Sequence, residues 1–191
     1  MKKTLIGLLA LASSGLVAAK NVPLPDNVTL RPSGSRSGDY IDTMTVKAGA
    51  ASFTKLKLCL AQNVSNPTLM ITGGTDAPFT FASSNKTQTS AVQGGEIFKY
   101  QDEAERTAIV MGSVPGAPVV LSRRIIRYEM TATAGEDGTT LKFTNIEHVT
   151  ENTGSVSNSG FTPVGAWKGA KPLSVIDALN GVASRITGCL G

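Results

Sequence analysis

The sequence contains one histidine, one tryptophan and two cysteines, and this scarcity limits the chemistry that the chain can support. Two cysteines and one histidine fall short of the four ligands of a structural zinc site. Any Ser-His-Asp or Cys-His catalytic arrangement would have to use His148, whose sequence neighbours supply no partner for such a scheme. We interpret His148 as a strand-end histidine, and we predict no catalytic, cofactor-binding or metal-binding residue.

Motifs for binding phosphate or nucleic acid are also missing. The glycine pairs at 73–74 and 94–95 lack the Gly-x-Gly-x-x-Gly or Gly-Lys-Ser/Thr spacing of phosphate-binding loops. The 18 basic and 14 acidic residues give a net charge of only +4, without a clustered basic face, which argues against nucleic acid. The acidic residues Asp102, Glu103 and Glu105 occupy a predicted bend, so we interpret them as solvated turn residues rather than paired glycosidase carboxylates.

Residues 1–19 have the order of a cleavable secretory signal peptide. Two lysines near the start are followed by an apolar run to Val17, which is shorter than the roughly 20 residues of a membrane-spanning helix, and then by two alanines. We predict cleavage after Ala19, with Ala18 as the nearby alternative. Because Lys20 rather than a lipid-modified cysteine comes next, we expect no membrane anchor after cleavage. The predicted location is the periplasm of a Gram-negative bacterium, or the outside of the cell.

The remaining chain divides into a flexible segment and one domain. Residues 20–39 carry three prolines and a Gly/Ser-rich stretch, which predicts a flexible N-terminal segment. Residues 40–191 have the length of a single domain with its own core. In an oxidising compartment, the only two cysteines, Cys59 and Cys189, are most simply joined by a disulfide bond.

Two segments have the apolar spacing of amphipathic helices. In 50–64, apolar residues return every three or four positions, and Cys59 lies among them. The segment after Pro172 shows the same period more clearly and ends with Cys189 in its last turn. Two helices on one sheet can bring these cysteines within the 4.4–6.8 Å Cα separation that a disulfide requires.

The other regular segments read as strands. Residues 40–47 precede the first helix, and short strands are expected at 69–71 and 79–81 within an irregular connection over 65–93. From residue 94 onward, three tight reversals separate strands at 96–100, 108–111, 124–133 and 140–149. This predicts an antiparallel meander with one buried face, and its solvated face would carry Arg123, Arg127, Glu129 and Lys142. The predicted fold class is α+β, in the order β-α-β-β-β-β-α, with two helices packed on one face of an antiparallel sheet in a single domain.

Three pieces of this pattern suggest a family. They are 45–47 leading into the first helix, 95–112 as a hairpin with an acidic bend, and the strands that contain Arg127-Tyr128 and 143–146. Over residues 42–190 the chain resembles the DUF4468 family, exported bacterial proteins of unknown function with a fold similar to that of the TATA-box-binding protein. The resemblance implies a helix-on-sheet plan, and related envelope modules of that plan imply protein–protein contact. It implies nothing about DNA, because function does not follow from fold.

The predicted loop over 150–171 is rich in glycine yet carries Phe161 and Trp167. Aromatic side chains in such a loop are either pinned onto the core or offered to a partner, so these two residues are the candidate interaction site. The predicted function is a non-enzymatic binding or interaction module of the cell envelope, whose partner is an envelope protein or a small ligand. The alternative is an inhibitor or immunity-type protein against an envelope-acting enzyme, and a hydrolase is the least favoured.

Overall fold

The computed structural model of the protein describes residues 21–34, 38–74, 87–92, 94–117, 124–150 and 160–191. The predicted signal peptide, the predicted strand at 79–81 and Arg123 lie outside these ranges. The described elements, in chain order, are β1 (Val28–Arg31), β2 (Tyr40–Ala48), α1 (Phe53–Asn63), β3 (Leu69–Gly74), β4 (Thr87–Val92), β5 (Phe98–Asp102), β6 (Thr107–Pro115), β7 (Arg124–Ala134), β8 (Thr139–Thr150), β9 (Thr162–Pro163), a 3-10 turn (Lys168–Ala170) and α2 (Pro172–Leu190).

The seven-stranded sheet is antiparallel throughout and has the strand order β1-β2-β8-β7-β6-β5, with β9 paired to the second half of β8. The run β5 to β8 is the predicted meander, because each of these strands pairs with the next along the chain. The strand β2 joins it beside β8 rather than beside β5. The first predicted strand therefore lies against the last one, which makes β8 a central strand.

Both helices begin at the positions that the sequence signals. The Ser52 hydroxyl accepts the backbone N–H of Lys55 at 3.2 Å and thereby caps α1, and Pro172 opens α2 where no intrahelical N–H is needed. The apolar spacing puts one stripe of each helix into the core: Phe53, Leu56, Cys59 and Leu60 from α1, and Val175, Ile176, Leu179, Val182, Ala183 and Ile186 from α2.

These helices pack on one face of the sheet, as predicted. Their buried stripes form one cluster with alternate residues of the sheet, among them Met44, Val110, Met130 and Phe143. The single α+β domain and the placement of both helices are thus confirmed. Among the described ranges, no helix is both long and apolar enough to cross a membrane.

A disulfide joins Cys59 of α1 to Cys189 of α2, with the two Cα atoms 5.7 Å apart. The predicted pairing is confirmed. Cys59 is fully buried on the apolar stripe of α1, as its spacing indicates, whereas Cys189 is only partly buried near the end of α2. The bond therefore ties the two helices together at the margin of the core.

The structure contains strands that the sequence pattern did not predict. Val28–Arg31 lies within the segment that we expected to be flexible, and it pairs with β2 as an edge strand. The predicted 69–71 strand is present as β3, and the strand β4, which the pattern did not predict, pairs with it in a two-stranded sheet. In the predicted loop 150–171, Thr162–Pro163 pairs with β8, and a 3-10 turn follows at Lys168–Ala170. Each of these short strands is stabilised by a partner that is distant in the sequence. The local spacing of apolar residues does not indicate such a partner.

Candidate functional site

Alternation along the central strands separates a buried face from an exposed one. In β7, Tyr128, Met130 and Ala132 are buried under the helices, while the intervening side chains keep contact with solvent. We call the side of the sheet away from the helices the open face; it carries Thr45, Met111, Arg127, Glu129 and Lys142. The prediction of a solvated face for Arg127, Glu129 and Lys142 is therefore confirmed.

Phe161 lies on this open face. Its ring packs against a small apolar cluster of Ile125 and Val149, and the guanidinium carbon of Arg127 is 4.1 Å from the centre of the ring. Arg127 in turn donates two hydrogen bonds to one carboxylate oxygen of Glu147, from Nη2 at 2.6 Å and from Nε at 3.2 Å. The ring, the cation and the carboxylate thus form one ordered group, which we call the Phe161 group.

Trp167 lies at another point of the open face. Its ring centre is 5.8 Å from that of Tyr40, and Tyr40 faces away from the core because the next residue, Ile41, points into it. The guanidinium of Arg31 lies 5.4 Å from the centre of the Tyr40 ring. A second aromatic and cationic group, the Trp167 group, is therefore formed by Arg31, Tyr40 and Trp167.

A backbone irregularity shapes the surface between these two groups. Asn145 has a positive φ of 49°, and β8 contains one more residue than β7 between the pairs Arg127–Glu147 and Glu129–Thr144. This is a β-bulge, a feature that bends a strand and redirects its side chains. A depression of about 130 Å³ lies on one side of the bulge, lined by residues that include Arg31, Asp42, Thr144, Asn145 and Glu147.

The depression connects the two aromatic groups, because Arg31 belongs to one and Glu147 to the other. A second depression of about 270 Å³ lies beyond the bulge, beside Met111, Arg127 and Glu129. The open face thus carries two aromatic clusters, each with an arginine, and a concave surface lies between the two clusters. Aromatic and arginine side chains of this kind dominate the energetics of protein interfaces.

The segment that carries both aromatic residues is held by backbone hydrogen bonds. The N–H of Val164 donates to Ile146 O at 3.3 Å, and Val164 O accepts from Ile41 N at 2.9 Å. The N–H of Ala166 donates to Asp39 O at 2.8 Å. This segment therefore continues the sheet between β2 and β8 instead of forming a free loop, and Phe161 and Trp167 are each half-buried upon it.

The residues that we considered and set aside as catalytic lie apart from the open-face groups. Asp102 ends β5, and its carboxylate accepts the N–H groups of Ala104 and Glu105 at 2.9 and 3.0 Å. The pKa of Asp102 is lowered, first by the N–H of Glu105 and then by the hydroxyl of Tyr100. It is a turn residue. His148 lies near the end of β8, on the helix side of the sheet.

Sequence reasoning missed Tyr40, Arg31 and the buried Arg124. Only the tertiary pairing of β1, β2 and the 164–167 segment puts Arg31 and Tyr40 beside Trp167.

Within the described ranges, no group of three or more histidine, cysteine, aspartate or glutamate residues has the arrangement of a metal site.

Comparison with known proteins gives matches among solved structures alone. No family model matches the chain, and no curated protein matches it. A crystal structure of a DUF4468 family protein from Bacteroides ovatus is similar to it at 10% sequence identity, with 92% of each chain covered and a TM-score of 0.46. This structural neighbour belongs to DUF4468, the family that the sequence resembles. Membership in that family, the likeness to the TATA-box-binding protein and the export of the chain stay predictions.

Proposed function

We propose that this protein is an exported, non-enzymatic binding module of the cell envelope, and that the open face of its sheet receives a protein partner. The observation that carries the proposal is the juxtaposition on this face of the Phe161 group and the Trp167 group, with a depression between them. Each group combines an aromatic ring with an arginine. Tryptophan, tyrosine and arginine are the residues most enriched at the energetic centres of protein interfaces.

The chemistry of the face favours a protein over a small ligand. Pockets for small molecules bury most of the ligand surface and are lined mainly by apolar side chains. Here the depression has a volume of only about 130 Å³ and is lined largely by charged and polar residues, and the aromatic rings lie outside its lining, against Arg31 and Arg127. Such a surface suits a partner with its own protruding apolar side chains and with polar groups that can reach the half-exposed Arg31, whose Nε is 3.9 Å from Asp42 Oδ1.

Two independent features support export to an oxidising compartment. The N-terminal 19 residues have the order of a signal peptide, and the Cys59–Cys189 disulfide is the kind of bond that persists outside the cytosol. The periplasm is therefore the compartment in which a partner is to be sought.

The test is capture of a partner from envelope extracts with the tagged, disulfide-bonded protein, followed by affinity measurement with the purified partner. We expect Trp167→Ala to weaken association by about 2 kcal/mol or more, which is the size expected for a hot-spot residue. Arg31→Ala should weaken it as well. Urea unfolding of each variant shows whether any lost binding merely reflects lost folding.

The matched control is Leu173→Ala, because Leu173 is a large apolar residue that is 49% exposed on α2, on the other side of the sheet. Its affinity should equal that of the wild type. A partner that binds equally well to the Trp167 and Arg31 variants would refute the assignment of the open face. A captured enzyme that loses activity upon binding would favour the inhibitor or immunity-type alternative over a passive binding module.

A further inference from the structure

Arg124 is a buried cation at the start of β7, on the helix side of the sheet. Only 6% of its surface is exposed, and its Nε is sealed from solvent without a hydrogen-bond acceptor. Its Nη1 donates to the backbone oxygen of Ala170 at 3.0 Å, and its aliphatic stem lies along Gly116. No carboxylate within the described ranges forms an ion pair with it. The cation is therefore buried without a charged partner from the described chain.

His148 lies beside Arg124. In the register of β7 and β8, Arg124 is opposite Thr150 and Ile126 is opposite His148. The side chains of Arg124 and His148 are therefore diagonal neighbours on the same face of the sheet. The Nδ1 atom of His148 is also buried without a partner, although the ring as a whole is only half-buried. Burial and then the charge of Arg124 lower the pKa of His148 below its ordinary value.

The third component is the beginning of α2. Ala170, whose oxygen holds Arg124, lies two residues before Pro172, the first residue of this 19-residue helix. No side chain caps this end of the helix, and its first turn contains no acidic residue. The end of the helix therefore presents uncapped N–H groups and a partial positive charge. Lys168 and Lys171, both exposed, add two further cations.

Each of these groups would be stabilised by a negatively charged hydrogen-bond acceptor. A buried guanidinium without a counter-ion is unfavourable, and buried donors without acceptors are rare in folded proteins. An oxyanion can accept hydrogen bonds from a guanidinium edge, from an imidazole N–H and from the first turn of a helix. Part of the His148 ring keeps contact with solvent, whereas its Nδ1 and the Nε of Arg124 are sealed from it.

We infer that Arg124, His148 and the first turn of α2 form a binding site for a small oxyanion, either a carboxylate or a phosphate group. Arg124 Nε, which has no acceptor, would donate to one anion oxygen, and His148 Nδ1, in the tautomer that carries the ring proton there, would donate to another. The site is on the helix side of the sheet, so it is separate from the open face and does not depend on the proposed function.

The experiment uses the ring of His148 as a reporter, because it is the only histidine of the protein. The full mature protein, labelled with ¹⁵N-histidine, is titrated separately with sodium phosphate and sodium acetate, against sodium chloride at equal ionic strength. We expect saturable shifts of the ring resonances with phosphate, with acetate or with both, and the tighter of the two identifies the group that the site prefers. Failure of both to saturate, or the same shifts with chloride, would overturn the inference.

Arg124→Gln should lower the affinity for the preferred anion at least tenfold. The matched control is Arg185→Gln, which removes the same charge from an exposed position on α2 and should leave the affinity unchanged. If Arg124→Gln does not fold, His148→Gln replaces it, with the melting temperature as readout. The anion should raise the melting temperature of the wild type and of Arg185→Gln, but raise that of His148→Gln much less. Equal responses in all proteins would overturn the assignment of these residues.

Discussion

The indole of Trp167 lies directly over Gly165, so close that a Cβ on residue 165 would come within 2.3 Å of a ring carbon. Gly165 is buried, and it pairs with Tyr40 in an isolated β-bridge. The absence of a side chain at residue 165 is therefore the condition under which Trp167 can lie flat against the sheet and reach Tyr40. This relationship connects a glycine in the chain to the shape of the open face.

Replacing this glycine should disturb both stability and the tryptophan. For Gly165→Ala we expect a loss of about 1–3 kcal/mol in the free energy of unfolding, because the new methyl group forces the indole away. Urea unfolding measures the loss. The emission of Trp167 should also shift to the red in the folded variant, and because it is the only tryptophan its fluorescence reports this site alone.

The matched control is Gly188→Ala in α2, where a Cβ would meet nothing within 4 Å. This substitution should stabilise the protein by about 0.5–1 kcal/mol, since alanine is the better helix former. If Gly165→Ala were as stable as Gly188→Ala, the close contact between Trp167 and Gly165 would be refuted.

Breaking the disulfide should destabilise the protein without changing its fold. For Cys59→Ala combined with Cys189→Ala we expect a loss of about 2–4 kcal/mol, because the bond closes a long loop in the unfolded chain. Thermal and urea unfolding under non-reducing conditions measure it. Reduction of the wild type should produce most of the same loss, and a melting temperature that neither treatment changes would show that the cysteines are not bonded.

The pair of Arg127 and Glu147 is suited to a double-mutant cycle. Both side chains are about two-thirds or more buried, with relative exposures of 31% and 28%, and the arginine donates twice to one oxygen. We expect a coupling of about 0.5–1 kcal/mol, the upper part of the range for ion pairs in contact with solvent. The single variants Arg127→Ala and Glu147→Ala and the double variant complete the cycle, followed by urea unfolding. A coupling near zero at low salt would mean that the pair adds nothing to stability.

The stability of the protein should fall on mild acidification because of His148. Burial and the charge of Arg124 lower the pKa of His148 below 6.5 in the folded state, so the unfolded chain binds a proton more readily. The stabilisation from the neutral ring is complete above about pH 6.5, the unfolded value, and is lost as the pH falls toward the folded pKa.

Urea midpoints from pH 7.5 to pH 5 measure this effect, in sulfonate buffers that contain no phosphate or carboxylate. In His148→Gln the part of the acid sensitivity due to this ring should disappear, because glutamine does not titrate. A wild type that loses no more stability than the glutamine variant over this interval would contradict the prediction.

Export predicts a defined N-terminus and blocked thiols. The protein isolated from periplasm should begin at Lys20, or one residue earlier, and should resist alkylation until it is reduced. Intact mass spectrometry with and without reduction measures both properties. A chain that retains Met1, or a cysteine that reacts without reduction, would contradict the assignment of the compartment.

The sequence alone determined the elements whose signals are local. The three- and four-residue spacing of apolar side chains predicted α1 and α2, and the alternating strands between tight turns predicted the meander from β5 to β8. The scarcity of cysteine determined the disulfide pairing, because only one pairing exists. In each case the deciding residues are near one another in the chain or without competitors.

Tertiary structure alone decided which distant segments meet. The pairing of β2 with β8, the edge strand β1 and the passage of residues 162–166 between β2 and β8 join parts of the chain that share no local pattern. These pairings put Arg31 and Tyr40 beside Trp167, and they bury Arg124 next to His148 at the start of α2. A strand shows by its periodicity that one face is buried, but its partner and register follow from the packing of the whole core.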